Sequence, residues 1–140
     1  MLSFLMTAMC NGKVSHTHRV GIVDDDDDVR DAIRTVLEVN GFLVSEYGSA
    51  QNYLASSRDD CALLVDLSML GFSGLDLVEL LRNGGIQIPV ILMVDVTRPW
   101  QAQRIAAIQK CKVLHKPLNP HPLLTALGSS MSHAACSRLN

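Results

Sequence analysis

At 140 residues, 48% hydrophobic and 19% charged, the chain has the size and composition of one compact domain and too much apolar material for intrinsic disorder. A formal net charge of −2, with the basic residues scattered, removes any bulk electrostatic attraction to nucleic acid. The cysteines Cys10, Cys61, Cys111 and Cys136 share no metal-ligand spacing, which excludes a zinc motif and favours free thiols in a reducing cytosol.

Residues 1–18 begin MLSFLMTAMC, without a basic start and too short to span a bilayer, and end in polar NGKVSHTH. They read as a flexible N-terminal extension, and no other stretch is a membrane span, so a cytoplasmic location is expected. From Arg19, RVGIVD is a short β-branched run. Val29, Ala32, Ile33, Val36 and Leu37 then recur at helical spacing until Asn40-Gly41 supplies a left-handed stop. FLVSEY alternates like a strand, and Ser49 can cap a short helix through AQNYLASS. CALLVD is a continuous apolar run ending in an acid, the pattern of a central parallel strand buried on both faces. After LSMLGFSG, a helix carries Leu75, Leu77, Val78, Leu80 and Leu81 and closes at Asn83-Gly84-Gly85. IPVILMV is a fourth strand, a helix follows from Pro99 to about Gln109, KVLH is a fifth strand, and PHPLLTALGSS begins the last helix.

Strands alternating with helices imply right-handed βαβ units. The expected fold is therefore α/β: a five-stranded parallel sheet with helices on both faces, spanning residues 19–130, followed by a tail at 131–140. In such a sheet, ligands bind beyond the carboxyl ends of the strands. There the first strand ends in Asp24-Asp25-Asp26, the third in Asp66 and the fifth in Lys116-Pro117. Carboxylates crowded at one edge repel one another unless a cation sits between them, and a hard all-oxygen set suits Mg²⁺. Asp66, on a rigid strand end, is the natural nucleophile for a phosphoryl group, with Lys116 holding an incoming phosphoryl oxygen.

IVDDDDDVR, LLVDLSMLGFSGLDLVELLR, IPVILMV and HKPL resemble, in order and spacing, the receiver domain of two-component response regulators. The NGF after the first helix and the SA…YL of the second resemble its FixJ-like class. The resemblance implies a (βα)5 flavodoxin-like fold that is a phosphoacceptor signalling domain rather than an enzyme. It makes Asp66 the phosphoacceptor, Asp25 a direct Mg²⁺ ligand, Asp24 a ligand through water, and the Ser68 carbonyl the remaining protein ligand. Lys116 would pair with the carboxylate and then the phosphoryl group, followed by Pro117 through a cis bond. Asp26 holds a position usually acidic in the family, while Asp27 and Asp28 favour the positive end of the first helix. The implied partners are a sensor histidine kinase or phosphotransfer protein and a downstream protein effector, with no direct nucleic-acid or membrane contact. A homodimer through the fourth and fifth helices is also within the family's range.

The pattern breaks at the switch positions. Val94 stands where the family has Thr or Ser, Val113 where it has Tyr or Phe, and Leu70 where it has Pro; the Gly before the fifth strand is absent from AIQKCK. Val cannot donate to a phosphoryl oxygen, and a hydrogen bond to a charged group is worth about 1.5–3 kcal/mol. These changes leave acceptor, metal ligands and lysine in place but remove the usual route by which phosphorylation reaches the partner-binding face. Two readings follow: a phosphorylatable receiver with an atypical switch, or a pseudo-receiver acting as a phosphorylation-independent binding module. An aspartate-nucleophile phosphatase fits poorly, because its D-x-D would sit on the first strand. The histidines share no ligand spacing, Trp100 reads as packing or as a partner contact, and Arg98 as solvated or as reaching a phosphate.

Overall fold

The apolar runs become strands and the periodic stretches between them become helices, in strict alternation. β1 is Arg19–Val23, α1 Asp27–Val39, β2 Leu43–Tyr47, α2 Ala50–Leu54 and β3 Ala62–Asp66. They are followed by α3 Gly74–Asn83, β4 Val90–Val94, α4 Pro99–Ala106, β5 Cys111–His115 and α5 Pro120–Ala134. The computed structural model describes residues 18–57, 59–69, 71–95 and 98–134; residues 1–17 of the extension expected at 1–18, Leu70 and residues 135–140 of the tail lie outside them.

All strand pairs are parallel and the sheet order is β2-β1-β3-β4-β5. The continuous apolar runs occupy the middle: every residue of β3 and β4 is buried. β2, none of whose residues is fully buried, takes one edge, and its burial does not show the alternation the sequence suggested. Because side chains alternate across a strand, the same strands feed two cores. Ile22, Leu64, Ile91 and Met93 pack with Ile33 and Leu37 of α1 and Leu127 of α5. Val23, Leu63, Val65, Leu92 and Val94 pack on the other face with Leu75, Leu77, Val78 and Leu81 of α3. Each such side chain stabilises the fold by about 1.5–3 kcal/mol on full burial.

Local signals set the helix ends. Asp26 caps α1, its Oδ1 accepting the N–H groups of Asp28 and Val29 at 2.9 and 3.1 Å. Ser73 and Asp76 form a reciprocal capping box at α3. Gly41, at φ 91°, provides the anticipated left-handed stop after α1. α4 ends at Ala106, three residues short of the expected Gln109. The guanidinium of Arg82 takes the carbonyls of Gln109 and Lys110 at 2.9 and 3.2 Å into a turn. It also holds the carbonyls of Ile86 and Ile88, each at 2.8 Å. In that turn Lys110 adopts φ 55°, the left-handed conformation for which the sequence lacks a glycine. The last helix, anticipated near 120–130, continues to Ala134, and α2 stops at Leu54, before the Ser56-Ser57 that the sequence suggested as its end.

The thiol expectation needs correction. Cys111 is free, but Cys61, buried in the core just before β3, is disulfide-bonded and not a free thiol.

Candidate functional site at the carboxyl edge of the sheet

β1 and β3 are neighbours, with Val23 opposite Val65, so the residues that follow, Asp24 and Asp66, emerge side by side. Lys116 follows β5, and its N–H donates to the carbonyl of Val94 at 2.8 Å, anchoring it across the end of β4. From there its ammonium reaches both acids, with Nζ 3.5 Å from Asp24 Oδ2 and 3.2 Å from Asp66 Oδ1. The Lys116–Pro117 peptide is cis, as the resemblance implied.

Asp24 has no exposed surface; its Oδ1 accepts the Asp26 N–H at 3.0 Å, while Oδ2 is buried with no hydrogen bond. Burial pushes its carboxyl pKa up, as does repulsion from Asp66; the Asp26 N–H and Lys116 act in the opposite direction and do not overcome this. Burial works against the Lys116 charge, yet Asp24 and Asp66 outweigh it and raise the lysine's pKa, with Asp95 adding to the effect. Three carboxylate oxygens, one each from Asp24, exposed Asp25 and Asp66, lie within 4.8 Å of one another. One lysine ammonium faces the three acids, and the buried Asp24 Oδ2, 3.5 Å from that ammonium, accepts no hydrogen bond, so the set has room for a further positive charge. An all-oxygen donor set of this kind fits a hard divalent cation such as Mg²⁺.

Of the acids in the aspartate run, Asp24 and Asp25 join this cluster among the described residues, whereas Asp26 turns away to cap α1. Ser68, exposed two residues beyond Asp66, donates its N–H to Asp66 Oδ1 at 3.3 Å. Gly74, the first residue of α3, packs so closely that a Cβ there would lie 2.1 Å from the Asp66 carbonyl oxygen. Val94 is fully buried at the end of β4 and Val113 half-buried on β5, both on the α3 side of the sheet. No hydroxyl therefore takes the place of the missing Thr or Tyr at either position.

Sequence reasoning missed three contributors. Arg30 donates to the Asp24 carbonyl at 2.6 Å, and Tyr47 accepts the Asp24 N–H at 3.1 Å. Beside Lys116, a mostly apolar cavity of about 480 Å³ opens between α1 and α5, lined by Val29, Ile33, Val36, Asp95, Pro117 and Leu123. The spacing of α1 would have revealed the cavity wall; the backbone contacts of Arg30 and Tyr47 leave no sequence signal. Trp100 is 53% exposed, with the Arg104 guanidinium 5.5 Å from its ring centre, so of its two readings core packing does not hold. Arg98 is exposed, its N–H donating to Gln101 Oε1 at 3.0 Å, and His115 is exposed as well. Among the described residues, no helix is long and apolar enough to cross a membrane.

A family model described as response regulator receiver domain matches residues 20–128. The chain is 34% identical over 124 residues to the transcriptional regulatory protein FixJ of Rhizobium meliloti, covering 83% of this chain and 58% of that protein. The FixJ of Azorhizobium caulinodans is 31% identical over 121 residues, covering 83% and 56%. The chain thus spans little more than half the length of these relatives. Among solved structures, the chemotaxis protein CheY4 of Vibrio cholerae superposes with a TM-score of 0.74 at 24% identity, covering 81% of this chain and 98% of that one. A CheY-like receiver from Methanospirillum hungatei gives a TM-score of 0.75 at 22% identity, covering 89% and 99%. These two likenesses show the fold.

Proposed function

The chain belongs to the response regulator receiver domain family, and from that premise we propose that it accepts a phosphoryl group on Asp66 and signals by protein–protein contact. The observation that carries the proposal is the juxtaposition of Asp66 with a lysine ammonium at 3.2 Å and with two further carboxylates. Receiver domains of this family are signalling domains.

An Asp66 oxygen forms a bond to phosphorus as the bond from phosphorus to the donor's leaving atom breaks, and that atom keeps the electron pair. Lys116 then exchanges part of its pairing with Asp66 for a phosphoryl oxygen, holding the charge where it develops. Asp24, Asp25 and the Ser68 carbonyl, with Asp66, would hold Mg²⁺, and the ion would offset charge on the transferring group. A phosphohistidine on a sensor kinase or phosphotransfer protein supplies the phosphoryl group, and the apolar cavity beside Lys116 gives such a protein a surface to rest on. The phosphorylated domain acts on a downstream protein effector in the cytoplasm, without direct nucleic-acid contact. The working unit is residues 19–130, with self-association through α4 and α5 compatible with it.

With Val94 and Val113 lacking hydroxyls, phosphorylation cannot pull on β4 and β5 in the usual way, so the readout is atypical. The same two residues favour a second reading, a pseudo-receiver whose binding face is constant. Incubation with Mg²⁺ and acetyl phosphate, read by intact mass, separates them. The receiver reading expects one added phosphoryl group that needs Mg²⁺ and disappears in Asp66→Asn; no addition to the wild type supports the pseudo-receiver.

A further inference from the structure

Arg30 lies one turn into α1, its side chain only 15% exposed despite its charge. Its Nη1 donates to the Asp24 carbonyl at 2.6 Å, its Nη2 to Asp27 Oδ1 at 2.5 Å and its Nε to Glu46 Oε1 at 3.4 Å. The carbonyl it holds belongs to the peptide that joins Asp24 to Asp25. The same segment is fixed from the other side, where the Asp24 N–H donates to the Tyr47 carbonyl at 3.1 Å. Asp27 ties the guanidinium to α1, and Glu46 ties it to the edge strand β2. The two peptides flanking Asp24 are thus both held, the first by the Tyr47 carbonyl of β2 and the second by Arg30, which is itself tied to α1 and β2; their orientation sets where the Asp24 and Asp25 carboxylates point.

We propose that Arg30 is a positioning residue for the cation site, clamping the Asp24–Asp25 peptide so that both carboxylates converge with Asp66. The inference rests on the reading of these three acids as cation ligands. It carries a discriminating sign. A guanidinium beside a cation site opposes the ion by simple charge repulsion, so its removal would tighten binding if charge were its only role. A clamp predicts the reverse: groups that orient metal ligands typically change affinity by about 10–100-fold when lost.

The test is Mg²⁺ titration by calorimetry of the wild type, Arg30→Lys and Arg30→Ala, with the melting temperature of each recorded. The amide resonance of Asp25 is followed in the metal-free proteins. Arg30→Lys keeps the charge and loses the three-point geometry, and it guards against an Arg30→Ala variant that does not fold. Both variants are expected to bind Mg²⁺ about tenfold more weakly, with the Asp25 amide shifted or broadened before any metal is added. Unchanged affinity in Arg30→Lys, or tighter binding in Arg30→Ala, would overturn the clamp while leaving the cation site standing. A wild type that binds no Mg²⁺ would overturn the cation reading and the clamp with it.

Discussion

Replacing Asp24 by Asn should stabilise the metal-free protein. At an effective dielectric near 20, the 3.5 Å approach of Lys116 Nζ to Asp24 Oδ2 gives about 5 kcal/mol of attraction. A carboxylate oxygen of Asp66 within 4.8 Å returns about 3.5 kcal/mol or more as repulsion, leaving at most about 1.5 kcal/mol of net attraction. Against that and one hydrogen bond from the Asp26 N–H at 3.0 Å stands the cost of holding a charge with no exposed surface, of the order of several kcal/mol. The native state thus disfavours the ionised form, in agreement with the raised pKa, and a neutral isostere removes the penalty. We expect a net gain of about 1–2 kcal/mol, or about 3–8 °C in melting temperature, in a chelating buffer. Saturating Mg²⁺ should reverse the order. At a hundred times its dissociation constant the ion adds about 2.7 kcal/mol to the wild type and little to the variant. Paired thermal melts with chelator and with Mg²⁺ make the measurement. An Asn variant no more stable than the wild type in chelator would refute the claim that the acid cluster is strained in the absence of a cation.

Asp60 offers a pH test away from the site. It is fully buried, Tyr47 donates its hydroxyl to Oδ2 at 2.7 Å, Oδ1 has no partner, and burial raises the carboxyl's pKa. The folded protein therefore binds that proton more tightly than the unfolded chain. Its contribution to stability should grow as pH falls through the raised folded pKa and level off near the unfolded value, and Asp60→Asn should flatten this part of a denaturation-against-pH curve. Gly74→Ala places a Cβ against the Asp66 backbone carbonyl, which cannot move aside; chemical denaturation should show a loss of about 1–3 kcal/mol. Val94→Thr buries a hydroxyl with no partner in the resting protein. It should cost about 1–3 kcal/mol there, and recover about 1.5–3 kcal/mol on phosphorylation, measured as a larger stability difference between the two states than in the wild type.

The architecture was legible because burial and periodicity coincide. The uninterrupted CALLVD and IPVILMV runs could only be central strands, and the acids after them had to share the sheet's carboxyl edge. Asp24, Asp25 and Asp66 fall together for that reason. Asp26 was harder, since an acid at a helix start serves equally as cap or ligand; here it is a cap, bonded to two amides of α1. The early end of α4 depends on Arg82, a residue distant in sequence that draws the carbonyls of Gln109 and Lys110 into a turn. Arg30 escaped notice because it acts on a backbone carbonyl, and any sequence presents a carbonyl at every position. The bonded state of Cys61 was likewise hidden, because widely spaced cysteines carry no pairing signal.

The most direct test of the central claim locates the phosphoryl group itself. After incubation with Mg²⁺ and acetyl phosphate, borohydride reduction converts an aspartyl phosphate to homoserine, which peptide sequencing by mass spectrometry then finds. Homoserine at position 66, and at no other aspartate, is the predicted result. An unreduced Asp66 together with modification elsewhere, or no modification at all, would contradict the account.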